Sequence, residues 1–243
     1  MGSDQSSTRF KTESTRVCPL LAAGAEVDAV DRFGFSALIR GAMTGNRDVL
    51  KTLVNAGADR EICDNNGRTP LIWASLRGCE NAVEFLISKS VGIDHRGHRN
   101  CTALMEAAFR GQSAIVRLLL EAEADLEVRD CDGLTALSLA LRKGHADSAR
   151  LLIEGGADID VRDSLGRTPL VWAASAGLAD VVRLIIQRGV EADGGNLIGM
   201  DEAIRAARRK FRLEVLQLLI DACNFREDRK ESIFNIQGAI SDS

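Results

Sequence analysis

The block DSLGRTPLVWAASAGLADVVRLIIQRG, from Asp163 to Gly189, recurs along this chain at a fixed spacing of 33 residues. Moved back one step it falls on DCDGLTALSLALRKGHADSARLLIEGG. Further steps reach GHRNCTALMEAAFRGQSAIVRLLLEAE, DNNGRTPLIWASLRGCENAVEFLISKS and DRFGFSALIRGAMTGNRDVLKTLVNAG. One step forward gives a worn sixth copy, NLIGMDEAIRAARRKFRLEVLQLLIDA. No insertion interrupts the count. A period of this length means one supersecondary unit stacked on itself, each copy burying its apolar face against its neighbours.

Each copy carries legible start and stop signals. Ser36, Thr69, Thr102, Thr135 and Thr168 stand where a first helix begins, each with a hydroxyl suited to cap free N–H groups. Pro70 and Pro169 follow at the first helical position, where proline sacrifices no hydrogen bond. The helix is expected to stop at Gly45, Gly78, Gly111, Gly144 and Gly177. A second helix has apolar residues at Leu50, Leu53 and Val54 and their equivalents, a spacing that makes one buried stripe. Gly57, Gly156 and Gly189 are expected to end it. Gly34, Gly67, Gly133 and Gly166 then mark a turn, read as a hairpin. An acid recurs at Asp28, Glu61, Asp94, Glu127, Asp160 and Asp193, read as an acceptor for local backbone N–H groups.

These residues resemble the ankyrin repeat, whose signature is a 33-residue period with the box T-P-L-H-x-A. The box reads Thr69-Pro70-Leu71-Ile72-Trp73-Ala74 and Thr168-Pro169-Leu170-Val171-Trp172-Ala173 here, and Gly-Ala-Asp recurs at Gly57 and Gly156. The resemblance implies an all-α ankyrin-repeat solenoid of stacked helix pairs with protruding β-hairpin loops. The expected organisation is a disordered tail at 1–16 and a half-repeat at 17–30. Full repeats follow at 31–63, 64–96, 97–129, 130–162 and 163–195, with a capping repeat at 196–223 and a tail or capping segment at 224–243. The pattern departs from the family at three places. The box histidine is replaced throughout, by Ile39, Ile72, Met105, Ser138, Val171 and Ile204, so apolar packing must do its work. The third copy has Gly97 for Asp and Asn100 for Gly, and Asn tolerates a left-handed turn. The sixth replaces the box by Asp201-Glu202-Ala203 and ends on Arg208, Arg209 and Lys210, as a solvent-facing cap should.

Catalytic chemistry has no foothold in the sequence. There is no phosphate loop and no nucleophile elbow. The six cysteines form no CxxC pair, which argues against a disulfide framework or zinc site and fits a reducing compartment. The run from His95 through His98 to Cys101, with Cys131 one copy on, is the one metal-like spacing. A hairpin held by its neighbours does not need a metal, so no metal and no cofactor are expected. The expectation is a non-enzymatic, monomeric, cytoplasmic protein, with a nuclear location open. Met-Gly-Ser-Asp-Gln-Ser fits the myristoylation pattern at Gly2, and only that modification would bring a membrane into play.

In ankyrin proteins partners usually lie against the turn tips and the exposed side of the first helices. Carried onto this sequence, the turn positions supply Arg32, Phe33, Phe35, Arg68, Arg99 and Arg167. Before the closing glycines stand Leu76, Arg77, Phe109, Arg110, Arg142 and Lys143, and one helical turn earlier Trp73 and Trp172. Across the whole set of turn and first-helix positions the only acids are Glu106 and Asp132, although the chain carries a net charge of -4. Segregated positive charge should steer an acidic partner, and Arg with Trp and Phe is the usual vocabulary of binding hot spots. The expected function is therefore a protein–protein interaction module, an adaptor, scaffold or inhibitor. It would hold an acidic, extended segment in a basic and aromatic concave groove. The alternative is a nucleic acid or anionic headgroup on the same face, against which the overall negative charge counts.

Overall fold

The computed structural model describes residues 19–193 and 198–224. The expected tail at 1–16 with Gly2, Cys18, and residues 225–243 lie outside them. The chain divides into two compact units, Met1–Cys131 with the first three full copies and Asp132–Ser243 with the rest.

The first helices are α1 (Ala37–Thr44), α3 (Pro70–Arg77), α5 (Ala103–Arg110), α7 (Ala136–Lys143) and α9 (Pro169–Ala176). Their start signals work as read in four copies. The side-chain oxygens of Ser36, Thr69, Thr102 and Thr135 accept the N–H of Ile39, Ile72, Met105 and Ser138 at 3.2–3.4 Å. Thr168 is the exception and makes no such cap. Its hydroxyl donates instead to the Ile198 carbonyl at 3.3 Å. The cause is Gly199, where a Cβ would lie only 2.7 Å from that hydroxyl, so the sixth copy closes directly onto it. All five helices end on glycine in the left-handed region, from Gly45 (φ 71°) to Gly177 (φ 80°), a conformation that costs other residues.

The second helices are α2 (Arg47–Asn55), α4 (Glu80–Ile87), α6 (Ser113–Glu121), α8 (Ala146–Glu154) and α10 (Ala179–Asp193). Their stripes are buried at two of the three positions read and turned by one residue at the third. Val49, Leu50 and Leu53 in α2, Ile115, Val116 and Leu119 in α6, and Val181, Val182 and Ile185 in α10 are buried, while Val54, Leu120 and Ile186 are half-buried. Each such side chain contributes about 1.5–3 kcal/mol on burial. Gly57 (φ 88°) and Gly156 (φ 96°) end their helices, but Gly189 does not, and α10 runs on to Asp193. Glycine weakens a helix by about 1 kcal/mol without stopping it. The Ala-Asp that follows Gly57 and Gly156 is Val190-Glu191 here, so the sequence lacks the turn aspartate. Within the first unit α1 packs on α3 and α3 on α5; within the second α7 packs on α9 and α9 on the sixth copy's first helix, α11 (Met200–Arg209). The residues replacing the box histidine sit in these contacts, with Ile39, Ile72, Met105, Ser138 and Val171 all buried.

The turns between copies are tighter than a hairpin with strands. One antiparallel bridge, Val30 to Ser36, occurs among the described residues. Three turns open on an aspartate whose Oδ1 accepts two backbone N–H groups: Asp31 from Phe33 and Phe35, Asp64 from Asn66 and Arg68, Asp163 from Leu165 and Arg167, all at 2.8–3.0 Å. The third copy manages without it. Asn100 takes the left-handed conformation (φ 64°) in place of glycine, as read. Gly97 replaces the aspartate because a Cβ there would stand 3.1 Å from both the Gly67 carbonyl and Ile72 Cδ1.

The recurring acids act differently from the expectation. Three of them bind the next copy: Asp28 accepts from Asp59 N–H at 3.0 Å, Glu61 from Gly92 N–H at 2.7 Å, Asp94 from Asp125 N–H at 3.0 Å. The local bonds belong to the Gly-Ala-Asp aspartates, as where Asp59 accepts from Glu61 N–H at 2.9 Å. A 33-residue period places equivalent loops one above the other, so a side chain reaching along the stack meets the neighbour's orphan donor first.

Candidate interaction surface

In the first unit the aromatic and basic positions assemble around Trp73 on α3. Phe33 and Phe35 lie with ring centroids 6.2 Å apart, and Phe35 meets Trp73 edge-on at 5.5 Å. Guanidinium groups stack over these rings: Arg32 over Phe33 at 4.6 Å, Arg40 over Phe35 at 5.5 Å, Arg68 over Trp73 at 5.2 Å, Arg110 over Phe109 at 5.7 Å. Phe33 remains 51% exposed, and Arg32, Arg77, Arg99 and Arg110 are exposed, whereas Phe35, Trp73, Leu76 and Phe109 are half-buried. Trp73 is fixed by donating its indole N–H to Asp64 Oδ2 at 3.0 Å.

Two cations of this face have carboxylate partners, of which the sequence reading counted Glu106 but not Asp31. Arg40 pairs with Asp31. Arg68 stands 3.9 Å from Glu106, with only 18% and 12% of the two side chains exposed. Burial pushes the Glu106 carboxyl above its ordinary range, and Arg68, Arg110 and His98 offset this only in part. Burial also opposes ionisation of Asp31, but the N–H groups of Phe35 and Phe33, with Arg40, outweigh it and hold that carboxyl low. The turn aspartates were the readable signal: they recur at one register, two residues before the nominated Phe33 and four before Arg68 and Arg167.

Three of the thiols are held in the protonated form. Burial, with Glu106, Asp130 and Cys131 adding to it, pushes Cys101 up to about 12. Burial raises Cys63 and Cys79 as well. His95 Nε2 lies 3.1 Å from the Gly67 carbonyl oxygen and 3.5 Å from Cys63 Sγ. Among the described residues no three His, Cys, Asp or Glu side chains gather as metal ligands would.

In the second unit the same box is arranged differently. Arg167 stacks over Trp172 at 4.0 Å and donates from Nε to Asp163 Oδ2 at 2.8 Å. The Trp172 indole N–H is buried without a hydrogen-bond partner. Beside Trp172 opens a cavity of about 320 Å³ whose walls include Arg142, Lys143, Lys210 and Arg212, with no acid among the lining residues. Arg142 and Lys143 were nominated from the sequence; Lys210 and Arg212 were not, because a charged, worn copy reads as a solvated end. A second cavity of similar volume between α8 and α10 mixes both signs, with Arg150 and Arg183 beside Glu154 and Asp180.

Among the described residues no helix is long and apolar enough to cross a membrane. Two comparisons bear on the family. The model for three copies of the ankyrin repeat matches residues 10–98 and 90–163, and the single ankyrin repeat matches residues 165–196. The matches stop where the sixth copy loses the box. No curated protein matches the chain. Ankyrin repeats are generally protein–protein interaction modules. With the helix pairs, the glycine stops and the 33-residue register all in place, this chain belongs to the ankyrin repeat family.

Proposed function

We propose that this protein is a non-enzymatic adaptor, scaffold or inhibitor that binds an acidic, extended segment of another protein. The face involved is formed by the turns and first helices. The observation that carries the reading is the set of arginine–aromatic stacks in the first unit, with Arg32, Arg77, Arg99 and Arg110 presented to solvent around a pinned Trp73. Stacking pre-organises a guanidinium without neutralising it, so a carboxylate can be gripped at a smaller entropic cost. In this role Arg32, Arg68, Arg77, Arg99 and Arg110 supply charge and Phe33, Phe35, Trp73, Leu76 and Phe109 the apolar contacts. Arg142, Lys143, Arg167 and Trp172 play the same parts in the second unit.

The reading is tested by fluorescence anisotropy with a labelled glutamate- and aspartate-rich peptide. The wild type should bind it, with affinity falling as salt rises. Charge reversal at two exposed positions, Arg77→Glu with Arg110→Glu, should weaken binding at least about tenfold while the circular dichroism stays unchanged. Equal affinity in the folded variant would remove the first-unit face from the account. Tighter binding of single-stranded DNA or RNA than of the peptide would move the account to nucleic acid.

A further inference from the structure

We infer that the cavity beside Trp172 in the second unit is a binding site for a phosphorylated side chain of the partner protein. The inference rests on the reading that this face binds an acidic protein segment, and narrows it: one of the negative charges is a phosphate.

Three copies contribute to the cavity. Arg142 and Lys143 come from the last turn of α7, Trp172 and Ser175 from α9, and Lys210 and Arg212 from the turn after α11. Four cations from three copies thus border one volume of about 320 Å³, with Lys143, Lys210 and Arg212 exposed and Arg142 half-buried. That gathering of one sign of charge gives the cavity a field that attracts an anion. Arg142 and Lys143 do sit favourably at a helix C-terminus. Arg212 is placed the opposite way. Its carbonyl accepts the N–H of Leu216 at the start of the helix over 213–224, so a cation stands at that helix's positive end. It is also held there by shape: at Gly177 a Cβ would come within 2.7 Å of Arg212 Cδ and 2.8 Å of its Nε. A glycine at the α9 stop thus leaves room for the arginine to lie against the backbone.

An anion would complement the gathered charge and the placement of Arg212, and a phosphate fits better than a carboxylate. It carries about two charges at neutral pH and three acceptor oxygens, which matches several donors converging from different elements. Arginine clusters are a general mode of recognising phosphorylated segments. The volume lies at the small end of ligand sites, enough for one side chain with its anion. A nucleic-acid backbone would instead call for a stripe of charge. Trp172 provides an apolar wall for the carbon stem of the modified residue, and Ser175 a hydroxyl donor.

The test uses the full chain and NMR. Inorganic phosphate should saturably shift the Trp172 indole and Gly177 amide resonances, while acetate at the same ionic strength should not. A synthetic aspartate-flanked phosphoserine peptide should bind at least about tenfold more tightly than its unphosphorylated counterpart, the size expected of a charge-assisted hydrogen bond. Arg212→Ala and, separately, Lys143→Ala should abolish that advantage with the fold intact by circular dichroism. If the phosphopeptide binds no better but the unphosphorylated peptide still binds, the phosphate site is wrong and the acidic-partner reading stands. If neither binds, both fall. Phosphate and acetate shifts of equal size, or an oligonucleotide or phosphatidylserine vesicle that outcompetes the phosphopeptide at these resonances, would also overturn the proposal.

Discussion

Trp73 and Trp172 occupy the same position of the same box, Thr-Pro-Leu-x-Trp-Ala, behind the same Asp-x-x-Gly-Arg turn, yet their partners are exchanged. At Trp73 the indole takes the second oxygen of Asp64, and Arg68 leans to Glu106. At Trp172 the arginine takes the second oxygen of Asp163 and the indole is left without a partner. One difference that bears on this lies in the following copy. Glu106 follows Trp73; three copies on, Arg205 stands at that register after Trp172. The Glu106 carboxylate offers Arg68 a partner in the next copy, whereas a like charge offers none, and Arg167 pairs with its own turn. In a repeat array, then, the function of a position is decided by its neighbour as much as by its own residue.

The largest effect should come from removing the neighbour altogether. Deleting residues 196–243 strips Met200, Ala203, Ala206 and Ala207 from α9. The second unit should lose more than about 3 kcal/mol and aggregate. A truncated chain that stays monomeric and melts at the wild-type temperature would contradict this.

Next come the turn aspartates. Asp64→Ala and Asp163→Ala each lose two backbone bonds and one side-chain bond, for a cost of about 2–4 kcal/mol in urea denaturation. Only the first should alter the indole N–H resonance of its tryptophan through a lost hydrogen bond. Equal changes at both indoles would break the comparison.

Glu106 gives a smaller, pH-dependent effect. Because burial raises its folded pKa, ionising it costs stability. That cost is absent below the ordinary glutamate range near 4.5 and complete once pH has risen past the raised value. Glu106→Gln should therefore be the more stable protein at pH 7, with the gap closing as pH falls from the raised value to 4.5. A gap independent of pH would show that charge is not the cause. The smallest stability change, within about 0.5 kcal/mol, is expected of Arg205→Glu on the exposed side of α11. It should free Asp163 for the Trp172 indole, read as a downfield shift of that N–H.

The period, the hydroxyl caps and the glycine stops were legible because each is a local signal repeated in register. Thr168 and Gly189 were misread because their outcomes depend on the sixth copy and on the residues after the helix, where the repeat has decayed. The nominated site residues were found by register alone, and register does not reveal counter-charge. Asp31, Asp64 and Asp163 form the turns, and the second oxygens of Asp64 and Asp163 also orient the nominated Trp73 and Arg167, while that of Asp31 pairs with Arg40. Lys210 and Arg212 were invisible for the opposite reason: exposed charge on a worn copy carries no pattern, and only folding brings it beside Trp172.

The most direct test of the interaction role is affinity capture from cell lysate, with the wild type beside Trp73→Ala/Arg110→Glu, read by mass spectrometry. The account predicts an acidic protein retained by the wild type and lost from a double variant whose circular dichroism is unchanged. Identical proteins in both lanes would contradict it.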